Sequence, residues 1–219
     1  MAIKQQLNEK LDSGLQSLGL DFSDAQRLAL LRYLELLGKW NTTYNLSGIS
    51  DPGEMLTRHL LDSLAIAQYF GEQHIVDVGS GAGLPGIPLA IAWPGARVVL
   101  MDSNGKKTRF LFQAALQLGL SNVQVENCRV EHYQSTRQID IVTCRAFSSL
   151  AEILTSARHL FEEGSKLLAM KGHLLEQELA GIPDDFRLDF VQPLQVPGLE
   201  ESRNLVAVTC ISAVKAERQ

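Results

Sequence analysis

Ile75-Val76-Asp77-Val78-Gly79-Ser80-Gly81-Ala82-Gly83-Leu84-Pro85-Gly86-Ile87-Pro88-Leu89-Ala90 reads as a short apolar strand, a glycine turn and the start of an apolar helix. Glycine stands at 79, 81 and 83, where a residue without a Cβ lets the backbone turn sharply and approach a ligand closely. Pro85 and Pro88 suit a first helical turn, in which the missing N–H has no partner to lose. A helix start offers unpaired N–H groups and the positive end of the dipole, which favour an anion by about 0.3–1 kcal/mol. The stretch predicts a strand–loop–helix unit built to hold a small anionic group.

Two ligand classes fit such a loop. Gly81-Ala82-Gly83-Leu84-Pro85-Gly86 satisfies G-x-G-x-x-G, the dinucleotide fingerprint, which alone says little. The register of the acid says more. Asp77 stands two residues before Gly79, inside the strand, and Asp-x-Gly-x-Gly-x-Gly resembles the first motif of class I S-adenosylmethionine (SAM) methyltransferases. In that class the loop holds a methionine tail, whose carboxylate is one small anion instead of a pyrophosphate. A glycine turn in a purely structural α/β unit is the third reading.

The 219 residues suit one large domain or one core with an appended segment. Leu, Ile, Val and Ala are ample for a core that needs no staples. Cys128, Cys144 and Cys210 form an odd set with no C-x-x-C, against a disulfide framework and against a zinc site. No signal peptide opens the sequence and no apolar run approaches the length of a membrane span, so the expectation is a soluble, cytoplasmic protein with no membrane partner. The net charge is −5. A protein that grips nucleic acid through phosphates over its whole surface is usually basic, so any such contact here requires local positive charge.

Residues 1–70 read as an N-terminal helical cap and residues 71–219 as the α/β core. Ile3, Leu7, Leu11, Leu15 and Leu18 recur at helical spacing before a stop at Gly19. Ser23-Asp24-Ala25-Gln26 is a capping box ahead of Leu28, Leu31, Leu34 and Leu37, with a stop expected near Gly38. Asp51-Pro52-Gly53-Glu54 opens a third helix through Met55, Leu56, Leu60, Leu64 and Ile66 to Tyr69. Lys39 to Leu46 is expected to connect the second and third helices. Trp40 and Tyr44 in it either stack on a splayed base or anchor the connection by packing. Arg58, His59 and Asp62 share a face of the third helix, where a lone His is more often structural than a ligand.

After the glycine loop, Arg97 to Met101 is a strand that ends on Asp102. An acid at that strand end, about 20 residues past the loop, can accept ribose hydroxyls, or cap the following helix through Phe110, Leu111, Ala114 and Leu118. Val123 to Val125, Ile139 to Cys144 and Lys166 to Met170 are further strands, and Ser149 starts a helix. Phe186–Pro193 and 204–211 close the chain as a hairpin. Alternating strands and helices with such a hairpin predict a mostly parallel, doubly wound sheet, Rossmann-like. Ligands of such sheets sit outside the strands' carboxyl ends, where Arg129, Arg145 and Lys171 fall, with Lys106, Lys107 and Arg109 close by. Cations at the ligand edge of an acidic protein imply an anionic substrate, a phosphate-bearing one included, although a charge run is more often a solvated face.

Lys39-Trp40-Asn41 with Tyr44-Asn45-Leu46, Arg58-His59-Leu60-Leu61-Asp62-Ser63, the run from Asp77 to Pro88, Arg129-Val130-Glu131, Arg145-Ala146-Phe147 and Lys171-Gly172 occur in this order. The series resembles the glucose-inhibited division protein B family, the bacterial small-subunit ribosomal RNA methyltransferases G. The resemblance spans nearly the whole chain. It implies methyl transfer from SAM to N7 of one guanine in 16S ribosomal RNA. The expected partner is that RNA, within a small-subunit particle or assembly intermediate rather than naked, a choice the sequence leaves open; no obligate protein partner is inferred. Through it, Gly79, Leu84, Val130, Glu131 and Arg145 are implied as SAM contacts beside Gly81, Gly83 and Asp102. Asn45, Arg129, Arg145 and Lys171 are implied as the catalytic polar groups nearest the target base.

The residues fit that chemistry on their own terms. N7 of guanine carries an in-plane lone pair and no proton, so its methylation is a matter of alignment and needs no general base. Arg145-Ala146-Phe147 stands after the fourth strand, where amine methyltransferases usually carry an Asn/Asp-Pro-Pro-aromatic motif. Phe147 either stacks on the base or fills space beneath the site. A cytosine-C5 mechanism with Cys144 as nucleophile is the rival enzyme, although a Cys inside an apolar strand is more often packing. A SAM-binding RNA module without turnover and a dinucleotide-dependent oxidoreductase would also be compatible with the glycine loop.

Overall fold

The computed structural model describes residues 2–147, 149–174 and 176–212; the last seven residues of the expected core segment, 213–219, lie outside them. Seven strands form one sheet: β1 (His74–Val78), β2 (Arg97–Met101), β3 (Val123–Glu126), β4 (Ile141–Arg145), β5 (Lys166–Lys171), β6 (Phe186–Pro193) and β7 (Asn204–Cys210). Their order is β3-β2-β1-β4-β5-β7-β6. The first five are parallel, and β7 runs antiparallel to both β5 and β6. Strands β1, β2 and β4 are buried at four of five positions each because both faces of the sheet are covered. The strand order reverses between β1 and β4, and there the crossovers diverge to leave a crevice at the carboxyl ends. β4 begins at Ile141 rather than Ile139. The β3-to-β4 crossover holds only a 3₁₀ turn, Val130–His132.

The helices are α1 (Ala2–Ser17), α2 (Asp24–Tyr44), α3 (Pro52–Met55), α4 (Asp62–Leu64), α5 (Gly86–Ala92), α6 (Gly105–Leu118), α7 (Leu150–Ser156) and α8 (Glu176–Ala180). A π-helical turn, Leu56–Leu61, joins α3 to α4, and a 3₁₀ turn, Ala67–Tyr69, follows. Ser23 and Gln26 form the expected reciprocal capping box, and Asp51 accepts from the Glu54 N–H.

The second helix does not stop at Gly38. It runs on to Tyr44 and ends where Asn45 takes a left-handed conformation, φ 49°. Packing outweighs the cost of about 1 kcal/mol for a mid-helix glycine: Trp40 stacks on Tyr44 one turn later at 5.0 Å and meets Phe110 of α6 at 5.7 Å. Trp40 is thus an anchor between α2 and α6, and not part of a loop presented to a base. The buried face of α2 is Leu30, Tyr33, Leu34, Leu37 and Asn41, while Leu28, expected inside, is 46% exposed.

Leu30 to Leu37, the buried residues of 55–70 and those of α5 and α6 belong to one hydrophobic cluster. The N-terminal helices therefore complete the core on one side of the sheet, and α7 packs with the β4 and β5 side chains on the other. Phe110 is fully buried, with its ring 6.4 Å from Tyr33 and 5.7 Å from Trp40. Phe110→Ala is expected to cost about 3–5 kcal/mol, read in urea as a lower midpoint with unchanged slope.

Candidate active site

The glycine loop is held on three sides. Gly79, Gly81 and Gly83 have φ of +70°, +59° and +90°, values that side chains other than glycine adopt only with strain. Below the loop, Asp77 is fully buried and its Oδ2 accepts from the Gly86 N–H at 3.0 Å, which ties the strand to the first turn of α5. Beside it, Asp102 Oδ2 accepts from the Gly81 N–H at 3.0 Å and Oδ1 from the Asn104 N–H at 2.8 Å, with Lys107 Nζ 3.6 Å away. On the third side the hydroxyl of Tyr33, a fully buried residue of α2, donates to the Ala82 carbonyl at 2.6 Å. Burial raises the Tyr33 hydroxyl pKa, so it stays a donor. Burial also pushes the Asp77 carboxyl up to about 7, partly offset by the Ser80 and Gly86 hydrogen bonds and by Arg145.

Beyond the loop, a cleft of about 500 Å³ opens at the ends of β4 and β5. It is lined by Arg58, Asp62, Arg145, Phe147, Lys171 and Arg203, among others. The π turn explains its construction. At its end the Asp62 N–H bonds to the carbonyls of Thr57 and His59, so Arg58, four residues back, is left without the usual helical donor. Arg145 Nη1 supplies that donor, at 3.0 Å from the Arg58 carbonyl and 3.1 Å from Asp62 Oδ2. Asp62 Oδ1 accepts from Arg203 Nε at 3.0 Å. Both bonds of Arg145 fall on Nη1, so its Nε and Nη2 have no partner among the described residues. Behind the turn, His59 Nε2 lies 2.7 Å from Ser47 Oγ, and burial pushes the ring down to about 4, hence neutral. His59 is structural here.

After Arg145 the chain turns through Ala146, which has a left-handed φ of 59°, a strained conformation for a residue with a Cβ. The turn brings the Phe147 ring to 4.0 Å from where a Cβ on Gly79 would lie. Phe147 thus stands between loop and cleft, and its carbonyl accepts from Lys171 Nζ at 3.1 Å. Lys171 also pairs with Glu178 at 2.7 Å.

Of the residues expected from sequence, Gly79, Gly81, Gly83, Leu84 and Asp102 gather at the loop, and Arg145 and Lys171 share the cleft. Val130 is buried and Glu131 exposed on the 3₁₀ turn after β3. Arg129 is exposed just before that turn, and Asn45 is exposed at the end of α2; neither lines the cleft. Asp102 does not cap α6; Asn104 does, accepting from the Lys106 N–H. Sequence reading missed Tyr33, Arg58, Asp62 and Arg203. Asp62 and Arg58 shared a helix face with His59, but nothing in that pattern distinguished them from solvated charges.

The residues suit SAM. The loop leaves room at Gly81, where an added Cβ would make only ordinary contacts, with the Gly79 carbonyl oxygen at 3.8 Å and Lys107 Nζ at 4.0 Å. Buried Asp77 keeps one oxygen, Oδ1, without a hydrogen-bond partner. Each Asp102 oxygen holds one backbone N–H and retains a lone pair for a hydroxyl. Strand order, acid register and glycine loop together define a Rossmann-like methyltransferase whose methyl donor is SAM.

The particular family follows from comparison with known proteins. The model of the rRNA small subunit methyltransferase G family matches residues 26–206, and the chain belongs to that family. It is 48% identical over 200 residues to the ribosomal RNA small subunit methyltransferase G of Laribacter hongkongensis, covering 91% of this chain and 97% of that one. It is 50% identical over 199 residues to the protein of the same name from Stenotrophomonas maltophilia, covering 91% and 93%. Among solved structures, P. horikoshii TYW2 in complex with MeSAdo shares the fold with a TM-score of 0.56 at 12% identity, covering 69% of this chain and 62% of that one. TrmN from Thermus thermophilus does so at 0.52 and 18%, covering 68% and 47%.

Two measurements check this geometry. Tyr33→Phe keeps the ring but leaves the buried Ala82 carbonyl unbonded, a loss of about 1–3 kcal/mol. Calorimetry should show SAM affinity about tenfold weaker with RNA affinity unchanged; a lowered melting temperature alone would mean that the hydroxyl serves packing only. The second concerns Asp77, whose carboxyl titrates near 3.8 when unfolded and about 7 when folded. Across that window the native state binds the extra proton, so this group's contribution to stability falls as pH rises from about 4 to about 7 and is level above. Urea unfolding of wild type against Asp77→Asn should give a stability difference that grows in favour of the variant over that interval.

Proposed function

We propose that this protein methylates N7 of one guanine in 16S ribosomal RNA, in the bacterial cytoplasm, with a small-subunit particle or assembly intermediate as substrate. The observation that carries the reading is the cleft beside the glycine loop, cationic on an acidic chain, whose lining carboxylates Asp62 and Glu178 both face cations and whose His173 is exposed to solvent. Asp62 lies between Arg145 and Arg203, and Glu178 lies on Lys171, so each of these carboxylates is already engaged by a cation. An exocyclic amine would need one of them to accept a proton. Guanine N7 has no proton to lose, and alignment alone suffices.

SAM, when bound, supplies an electrophilic methyl group on a sulfonium. Asp102 and the Gly79–Gly83 loop hold the cofactor, and Val130 and Glu131 border its adenine end. Arg145, fixed at one amino group by Asp62 and the Arg58 carbonyl, directs its remaining donors at the base or its phosphate. Lys171 and Arg203 add positive charge at the same place, and Phe147 walls the base side of the loop. Arg129 and Asn45, exposed away from the cleft lining, are left to RNA outside it. Cys144 is buried in the core and burial pushes its thiol up to about 12, which leaves no thiolate for attack on a pyrimidine.

The test is incubation with tritiated SAM and small-subunit particles from cells lacking the protein, followed by borohydride–aniline cleavage to locate a cationic N7-methylguanine. One cleavage position is expected. Arg145→Ala should lower turnover at least about 10²-fold, as a 1 Å misplacement of reactants can do, and Cys144→Ala should keep most of it. An inactive but folded Cys144→Ala variant that no longer traps 5-fluoropyrimidine RNA, where wild type does, would transfer the case to C5 chemistry.

A further inference from the structure

Each arginine and lysine lining the cleft is already matched to a carboxylate of its own chain. Asp62 takes Arg145 and Arg203, Glu201 takes Arg58 at 2.5 Å, and Glu178 takes Lys171 at 2.7 Å. The three acids are held very differently. Asp62 is buried in the helical core. Glu178 sits on α8, a short helix of five residues, with its side chain 18% exposed against the buried Lys171. Glu201 is 47% exposed in the connection between β6 and β7, and its hydrogen bond from Arg58 holds its carboxyl below the usual range. That connection is not adrift: Val196 is buried and Gly198 abuts Thr57 of the π turn.

We propose that Glu178 and Glu201 are specificity-determining residues, carboxylates that occupy Lys171 and Arg58 in place of RNA phosphates until a correctly placed RNA displaces them. The inference rests on the reading of the cleft as the RNA site. A carboxylate and a phosphate compete for the same donors. An RNA that reaches only one of these cations exchanges one ion pair for another and gains little. An RNA that reaches both while seating its base gains the base contacts in addition. The Arg58–Glu201 pair, its side chains 38% and 47% exposed, is weak enough to be displaced on its own; the Lys171–Glu178 pair, 9% and 18% exposed, is more enclosed and yields only to an RNA that replaces the carboxylate on Lys171. Each acid also sets a negative charge against non-cognate RNA approaching the cleft.

The full chain is compared with Glu178→Gln, Glu201→Gln and the double variant, binding oligouridylate and small-subunit particles over a range of salt. Glu163→Gln, an exposed acid outside the cleft, controls for the change in net charge. Oligouridylate should bind Glu201→Gln about two- to fivefold tighter than it binds that control, and Glu178→Gln and the double variant tighter than the control as well. The logarithmic salt slope should steepen by about 0.7 for each cation released, SAM affinity should not move, and preference for the particle should narrow. Oligouridylate affinity equal to or weaker than that of Glu163→Gln overturns the proposal. Failure of the wild-type chain to methylate particles would instead overturn the functional reading beneath it.

Discussion

The buried carboxylate of Asp62 joins parts of the chain that nothing else brings together. It bonds Arg145 at the end of β4 and Arg203 just before β7, and it terminates the π turn whose freed Arg58 carbonyl also takes Arg145. A charge this deep is costly unless paired, and removing one partner of such a pair typically costs about 3–5 kcal/mol. With two guanidinium groups and one carbonyl the set is satisfied, and Arg145 becomes a fixed donor. The irregular turn and the site are therefore one construction: a regular helix would keep the Arg58 carbonyl for itself.

The cofactor loop follows the same logic with weaker bonds. Asp102, Asp77 and Tyr33 reach it from β2, β1 and α2, each through one backbone group. The glycines supply the left-handed turns, and these contacts remove the freedom that glycine would otherwise retain. A loop held before its ligand arrives loses less entropy on binding. The N-terminal helices thus do more than shield the sheet, since α2 supplies one of the three clamps and its packing on α6 through Trp40 and Phe110 keeps that clamp in place.

Charge is divided in the same spirit. The chain carries a net −5, yet the cleft gathers Arg58, Arg145, Lys171 and Arg203. A polyanion is drawn to that edge while the rest of the surface resists nonspecific association. Two of the acids at the edge come from outside the helical core, Glu178 from α8 and Glu201 from the β6–β7 connection, so the positive potential is partly masked until an RNA competes for it.

Strand–loop–helix order, the parallel sheet and the cofactor loop were legible in the sequence because they rest on short-range rules: period, glycine conformation, and an acid two residues before a turn. The true end of α2 was not, since its continuation past Gly38 depends on Trp40 finding Phe110, a contact across the fold. Arg145 and Lys171 could be placed at strand ends from sequence, but their partners could not. Arg129 and Asn45 resembled members of the same site, yet they stand at separate exposed turns. The sequence by itself determined the class of fold and the cofactor loop, because each is encoded by neighbours. Only the tertiary structure decided the cleft beside the loop, because its residues at 58, 62, 145, 171 and 203 meet through a π turn and ion pairs that no local pattern encodes.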